Sequence, residues 1–387
     1  ADGGNAIAHN TSGGAGGGIR IDVGILAGGG TITADGGDND NQRGAGGGGR
    51  VAVYYDDASG FDLNRVQAVG GQHTVGFAGE GAPGTVYLED TAGEGVLRID
   101  SKGMGAAQWT PLGVTGDTEL NVDRLSLKGV GVWVAPHHNM PLRASNVDIA
   151  DSAGLAHQAC TDTDVFQLDL DVEETLTLSG GGVLDVSGQG YAKGHWQNNS
   201  GAGGATGVSG GSYGGAGVPV AGVTNNLYGN ETDPDEPGAG GAGGGGPGNG
   251  GGLLRLRAGA VSLGADIRAD GADGQDHAHG GGAGGGIRID VGDISGAGAI
   301  SADGGAAGTN VGAGGGGRIA LYVWDTDALP EGSITADGGA GDPVGGGNGT
   351  VHEDTLANEV VPPFILWMDP VRRPDGTVSH VLIEFSE

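Results

Sequence analysis

The chain has 387 residues, of which 92 are glycine, and it carries a formal net charge of −31. A field of this sign and size repels nucleic acids and anionic membranes, so we expect neither as a partner. The single cysteine, Cys160, excludes an intrachain disulfide, and the sequence holds no apolar run of about 18 residues for insertion into a membrane.

An internal repeat dominates the chain. Residues 1–55 recur as residues 269–323 without a gap, so that residue 1 corresponds to residue 269, an offset of 268. The string GGAGGGIRIDVG at 13–24 returns unchanged at 281–292. The first residue therefore corresponds to an interior position, and we expect the chain to be a piece of a longer repeat protein.

Two series of short motifs alternate along each copy. One series consists of evenly spaced ADGG-like strings, which begin at Ala1, Ala34 and Ala68 and again at Ala269, Ala302 and Ala336. The other begins with Ile19, Ile21 and Val23, which alternate with Arg20 and Asp22 as in a half-buried strand. Units of this kind bury their apolar rows by stacking. The pattern predicts an all-β, elongated parallel β-helix or β-solenoid, with the commoner right-handed coils.

Glycine blocks separate these strands. Runs such as GAGGGG at 312–317 can form extended, polyglycine II-like turns, because backbones without side chains approach closely enough to hydrogen-bond laterally. Disorder is the alternative for such composition, above all for residues 201–251.

Composition divides the chain into four parts. Residues 1–94 and 181–358 form glycine-rich coils, the latter with a long loop at 188–252 that is functional or disordered. Residues 95–180 are either tighter coils, which we prefer, or an inserted β segment. Residues 359–387 are expected to be a linker and the start of a further domain.

Acidic turns are the candidate metal sites. Calcium takes six to eight oxygen ligands, and glycine-rich turns allow carbonyls to converge with carboxylates. His277 and His279, two positions apart, share one face of a strand and could add a transition-metal pair, although solvated turns and loops explain the same residues. The candidate ligands are Asp35, Asp38, Asp40, Asp266, Asp270, Asp273, Asp276, His277 and His279.

The long loop holds the candidate ligand-contact residues. Aromatic side chains among Gly, Asn and Ser form a plausible contact surface, and equally Trp196 and Tyr213 could pin the loop to the coils. The candidates are Tyr191, His195, Trp196, Tyr213 and Tyr228. The matched Arg20 and Arg288 lie two positions from Asp22 and Asp290, a spacing typical of structural pairing along a strand row.

The motifs GGGIRID, ITADGG and GGGGRIALY, with the tail VSHVLIEFSE, support a family resemblance. Residues 1–90 and 180–355 resemble the glycine-rich repeat regions of very large bacterial secreted or surface proteins, and the tail resembles the first strands of bacterial Ig-like domains. The resemblance implies an extracellular stalk or adhesin segment and supplies no catalytic residues.

We therefore expect a structural and adhesive segment at the cell surface, with surface polysaccharide or neighbouring surface proteins as partners and calcium as a stabilising ion. An enzyme is not expected. The alternatives are a β-helical polysaccharide lyase or hydrolase, in which paired carboxylates line a groove, and a passive glycan-binding module.

Overall fold

A computed structural model describes residues 1–6, 11–39, 43–73, 79–91, 93–244, 248–274, 279–324, 329–355, 365–372 and 378–385. In these residues the protein is almost entirely β, apart from a short 3-10 turn at Leu63–Arg65. The strands are β1 Gly18–Gly28, β2 Ile32–Thr33, β3 Arg50–Phe61, β4 Val66–Gln67, β5 Thr85–Asp90, β6 Gly95–Asp100, β7 Trp109–Leu112, β8 Leu120–Lys128, β9 Trp133–Pro136, β10 Leu142–Ala150, β11 Gly154–Leu155, β12 Leu168–Leu178, β13 Val183–Asp185, β14 Leu253–Leu263, β15 Ile267–Arg268, β16 Gly286–Gly296, β17 Ile300–Ser301, β18 Arg318–Val323, β19 Ile334–Thr335, β20 Thr350–Thr355, β21 Ile365–Arg372 and β22 Val378–Phe385.

The chain alternates between two stacks of parallel strands. An eleven-stranded sheet has the order β1-β3-β5-β6-β8-β10-β12-β14-β16-β18-β20. A seven-stranded sheet has the order β7-β9-β11-β13-β15-β17-β19, and β2 and β4 form a separate pair. All neighbours in these sheets are parallel except β5 and β6. The expected all-β fold with long parallel sheets is confirmed. The last two strands, β21 and β22, form a separate antiparallel pair.

Coil length differs along the chain. In the glycine-rich part, Gly286 on β16 pairs with Arg318 on β18, so these two positions bound one coil. In the middle, Leu120 on β8 pairs with Leu142 on β10, which bounds a clearly shorter coil. Strands β6 to β13 belong to the same two sheets as the strands that follow them, so the shorter coils contribute to one continuous stack.

The antiparallel pair divides the stack into a first part, residues 1–90, and a second part, residues 95–355. Tyr87 on β5 lies opposite Leu97 on β6, whereas Val86 lies opposite Arg98. Val86 is buried in the core of the first part and Leu97 in that of the second, so the two cores lie on opposite faces of the shared sheet. Between β5 and β6 the direction of the strands reverses, and so does the face of the sheet that is buried. Together these two changes equal a rotation by half a turn about the axis along which the coils stack. A rotation leaves the hand of the coils unchanged.

Two side chains cross this junction. Arg98 reaches toward the first core and donates hydrogen bonds to the carbonyls of Val66 (2.5 Å) and Leu63 (3.2 Å). Burial lowers the pKa of this guanidinium. Tyr87 reaches the other way, packs against the second core and donates to Glu89 at 2.8 Å. At the junction, therefore, a polar side chain of each part contacts the other part.

Candidate functional site

The acidic turns form rows of carboxylates along the stack. Asp270 Oδ1 accepts a hydrogen bond from the backbone N–H of Asp303 at 2.8 Å, and its Oδ2 accepts one from the Ser301 hydroxyl at 3.0 Å. Asp303 accepts the same two kinds of bond from Asp337 and Thr335, at 2.7 and 3.1 Å. Each aspartate thus joins its own coil to the next.

The first part repeats this row. Asp2 accepts bonds from the N–H of Asp35 at 2.9 Å and from the hydroxyl of Thr33 at 3.0 Å. Asp35 accepts from the N–H of Val69 at 2.8 Å and from the Gln67 side-chain amide at 2.7 Å. The carboxylate predicted as a metal ligand in this turn is therefore a coil-to-coil acceptor.

A second row runs parallel to the first, three positions further along each turn. Asp38 Oδ1 accepts from the N–H of Gln72, and Asp273 Oδ1 accepts from the N–H of Ala306, both at 2.8 Å. Asp266 lies elsewhere: it pairs with Arg268, and the hydrogen bond from the N–H of Ala299 is the main cause of its lowered pKa.

The remaining predicted metal ligands give no further geometry. Asp40, Asp276 and His277 lie outside the described residues. The backbone of His279 forms an isolated bridge with Gly243. Among the described residues, no group of three or more His, Cys, Asp or Glu side chains is placed to hold a metal ion. Calcium binding at the acidic turns stays a prediction.

The insertion at residues 188–252 lies against the second part through an aromatic cluster. Tyr191, Tyr213 and Tyr228 are 2%, 0% and 6% exposed. The ring centroid of Tyr228 lies 4.7 Å from that of Tyr213 and 5.7 Å from that of Trp196. Desolvation raises the pKa of all three tyrosines. These phenols are packed inside the protein and are not displayed to solvent.

Arginines of the main sheet bind the backbone and acids of the insertion. Arg318 on β18, which is 5% exposed, donates from Nε to the carbonyl of Tyr228 at 2.9 Å. Arg255 and Arg288 both contact Asp233, at 2.9 and 2.8 Å. These contacts match the pinning alternative. Of the five predicted contact residues, His195 and Trp196 are only half-buried, and Trp196 donates its indole N–H to the carbonyl of Ala202 at 2.9 Å.

A different aromatic site lies on the outer face of the seven-stranded sheet. Trp109 on β7 pairs in register with Trp133 on β9, and their rings are stacked with centroids 5.6 Å apart. Trp109 is 40% exposed. The next strand places Gly154 beside Trp133, where an added Cβ would lie 2.4 Å from the indole ring. Glycine at this position therefore leaves room for the indole to lie over the sheet.

An open groove begins at Trp109. It has a volume of about 480 Å³ and is lined by Trp109, Pro111, Ala135, Gln158, Ala159 and Gln189. A second depression of about 260 Å³ shares Trp109 and Pro111 and extends over residues 47–50 and 82–85 of the first part, including the charged Arg50. The groove therefore lies where the two parts of the stack meet. We call it the tryptophan groove.

This site is not among those predicted from the sequence. Pro111 lies within β7, and proline argues against a strand assignment because it has no N–H for the ladder. A signal was nevertheless present: the spacing from Trp109 to Trp133 is close to the spacing from Leu120 to Leu142, which bounds one of the shorter coils. Two large aromatic residues at the coil period indicate one row on one face.

Comparisons with known proteins do not identify a relative: no family model matches the chain, and neither do any curated proteins or solved structures. Within the part of the chain that the structure describes, no helix has the length and hydropathy to cross a bilayer.

Proposed function

We propose that the chain is a parallel β-helix with polyglycine II-type turns that serves as a structural and adhesive segment of a large extracellular surface protein. The observation that carries this proposal is the repetition of equivalent contacts on successive coils. Asp270 and Asp303 make the same pair of bonds one coil apart, and Asp2 does so in the first part. Repeated contacts stiffen a stack at every level, whereas a catalytic site requires one unique constellation.

The glycine turns support the same proposal. The backbone N–H groups of residues 314, 315, 316 and 317 donate to three different segments over 2.7 to 3.0 Å. Residues 314 and 317 bond to the carbonyls of Gly305 and Ala302 in one segment, and residues 315 and 316 bond to those of Gly211 and Gly347. An extended helix with three residues per turn directs successive amides to different sides, as this pattern requires. The glycine blocks therefore act as packed, cross-linked structure.

Close approach explains why these positions are glycine. A Cβ added at Gly314 would lie 1.9 Å from the carbonyl oxygen of Gly282, and one added at Gly46 would lie 1.9 Å from that of Gly14. The two clashes are equivalent under the 268 offset. Such contacts tolerate no side chain, so glycine content is what allows the coils to bind one another laterally.

Pulling a single chain by its two ends tests the stacked-coil proposal. Coils that rest on equivalent bonds should release one after another, and a coil such as that from Gly286 to Arg318 adds about 110 Å of extended chain. We expect a series of separate extensions, of about this size for the glycine-rich coils and smaller for coils such as that from Leu120 to Leu142. One abrupt release of the whole second part would contradict independent coil-to-coil contacts.

The location at the cell surface is supported by the sequence resemblance and by the acidic, cysteine-poor composition. In the organism that makes the protein, an antibody against residues 95–355 should label intact cells or the surrounding medium. Labelling only after cells are opened would contradict an extracellular segment.

We propose separately that calcium stabilises the acidic turns. A rise in melting temperature on adding calcium, reversed by chelator, would support it. Equal melting curves in calcium and in excess chelator would contradict a role for calcium. The aspartate rows would then act only as direct hydrogen-bond acceptors between coils.

A further inference from the structure

We infer that the tryptophan groove binds a neutral polysaccharide through the exposed indole of Trp109, which stacks on Trp133 behind it. The inference deepens the adhesive part of the proposed function, on which it rests, by naming a site and a ligand class. It depends on four features of the groove: its exposed indole, its six uncharged lining side chains, its polar amides and its length.

The exposed part of the Trp109 ring provides a flat apolar surface. The two rings are stacked at 5.6 Å with an angle of 30° between their planes, and Trp109 keeps 40% of its surface exposed. One face of a sugar ring carries mainly C–H groups, which pack on an indole face because the ring's negative π surface attracts the slightly positive hydrogens. A ligand that covers this ring removes apolar area from water, which favours binding.

Charge selects a neutral ligand. None of the six lining side chains is charged, although the chain as a whole carries −31. An anionic polymer would be repelled by this overall field, and Arg50, the one charged residue of the adjoining depression, does not line the groove itself. A cationic ligand would find no carboxylate there. A neutral polymer meets neither difficulty.

Two glutamines provide hydrogen-bonding groups in the same groove. The side-chain nitrogen of Gln158 donates to the backbone carbonyl of Pro136, at 3.1 Å, and to that of His137. These bonds fix the amide and direct its nitrogen toward the protein, so its oxygen is the atom offered to a ligand hydroxyl. Gln189 lies further along the same wall. Apolar surface with a few placed amides is the usual composition of a small-ligand site.

The groove extends over several coils. Its lining comes from β7, from β9 and from the turns after β11 and β13, four successive strands of one sheet. At about 4.8 Å per strand this spans about 14 Å, the length of a short oligosaccharide. Its volume of about 480 Å³ lies within the usual range of about 300 to 1,000 Å³ for ligand sites.

Affinity electrophoresis of the full chain tests the inference. The gels contain laminarin, galactomannan or dextran as neutral polymers and alginate as an anionic one. We expect retardation by at least one neutral polymer and none by alginate. We expect Trp109→Ala to weaken that binding at least tenfold and Gln158→Ala to weaken it several-fold. Trp133→Ala should weaken it less than Trp109→Ala does, because Trp133 positions the Trp109 ring by stacking and does not line the groove.

The matched control is Trp324→Ala, which removes a tryptophan that is 49% exposed and does not line the groove. It should bind as the unsubstituted chain does. Circular dichroism melting shows whether each variant is folded, and because Trp109 and Gln158 are not buried in the core, these two variants keep the test valid if Trp133→Ala is destabilised.

Three results would overturn the inference: no neutral polymer retards the chain, alginate alone retards it, or Trp324→Ala loses as much binding as Trp109→Ala. Release of new polymer ends would also overturn it, since it would indicate a polysaccharide-active enzyme. Stepwise extension under force without polymer binding would remove the groove's role and keep the stacked-coil proposal. Binding without stepwise extension would do the reverse.

Discussion

Two copies of one sequence occupy different environments in this protein. Strand β1, with the sequence GIRIDVG, lies at one edge of the eleven-stranded sheet, whereas β16 repeats that sequence between β14 and β18. Ile19 and Ile21 are half-buried, while Ile287 and Ile289 are 0% exposed. Identical residues therefore adopt the same strand, and their neighbours decide how much each contributes to stability.

The insertion at residues 188–252 increases the difference in burial between the two copies. Residues 281–286 are buried, while their counterparts at 13–18 are exposed or half-buried. Arg318 is 5% exposed and binds the carbonyl of Tyr228, whereas its counterpart Arg50 is exposed. In the described residues, the aromatic insertion lies against the second copy and not against the first. The same glycine-rich segment is therefore a covered interior in one place and a surface in the other.

The largest effect should come from a side chain placed inside the glycine turns. Gly314→Ala should destabilise the second part by more than about 3 kcal/mol, because the new Cβ would meet a carbonyl oxygen at 1.9 Å. Gly46→Ala meets the same distance in the first part, and we expect its effect to be limited to that part. Gly30→Ala, with no atom within 4 Å, is the control. Thermal unfolding followed by circular dichroism measures all three, and equal stability for Gly314→Ala and Gly30→Ala would contradict the packed-turn interpretation.

The paired isoleucines sharpen the comparison between edge and interior. Ile287→Ala removes a fully buried side chain and should cost about 3 kcal/mol, whereas Ile19→Ala removes a half-buried one and should cost about 1 kcal/mol. Denaturant unfolding measures both free energies. A larger loss for Ile19→Ala would show that the edge strand is covered in solution.

The paired arginines test how the insertion is held. Arg318→Ala leaves the carbonyl of Tyr228 without its buried donor and should cost about 2 kcal/mol. It should also speed proteolysis within residues 188–252. Arg50→Ala, at the exposed counterpart, should change stability by less than about 0.5 kcal/mol. Unchanged proteolysis in Arg318→Ala would mean that the tyrosine cluster alone holds the insertion.

The smallest effect concerns two equivalent aspartates whose pKa values shift in opposite directions. Desolvation raises the pKa of Asp270, while the hydrogen bond from the N–H of Asp35 lowers that of Asp2. A raised folded-state pKa gives stability that is present below the ordinary value of 3.8 and is lost as the pH rises through the folded pKa. A lowered folded-state pKa gives stability that is present above pH 3.8 and is lost as the pH falls through the folded pKa.

Substitution by asparagine separates these two contributions. Asp270→Asn should remove a loss of stability that the unsubstituted chain shows as the pH rises above 3.8, and Asp2→Asn should remove a loss that it shows as the pH falls below 3.8. Melting temperatures recorded across this range for both variants measure the effect. The same pH dependence in both variants would mean that burial does not distinguish the two positions.

Much of this architecture was predictable from the residues. The alternation of Ile19 and Ile21 with Arg20 and Asp22 predicted half-buried strands, and the 268 offset predicted equivalent elements, as found in β1 and β16. The reversal at β5 and β6 was not predicted, because it depends on a hairpin near Gly93 and Gly95 in a chain full of glycine. The tryptophan groove was missed for a related reason: it takes its residues from four coils.

The sequence by itself determined the strand rows, the coil period and the turns in which backbones pack closely. The first two follow from the local alternation and spacing of apolar residues, and the third follows from the missing side chain of glycine. Only the tertiary structure decided which copy is buried, which aspartate is desolvated and which tryptophans share a face. Burial and side-chain neighbours depend on the coils above and below and on the insertion, and these are contacts between residues far apart in the chain, such as Arg318 and Tyr228.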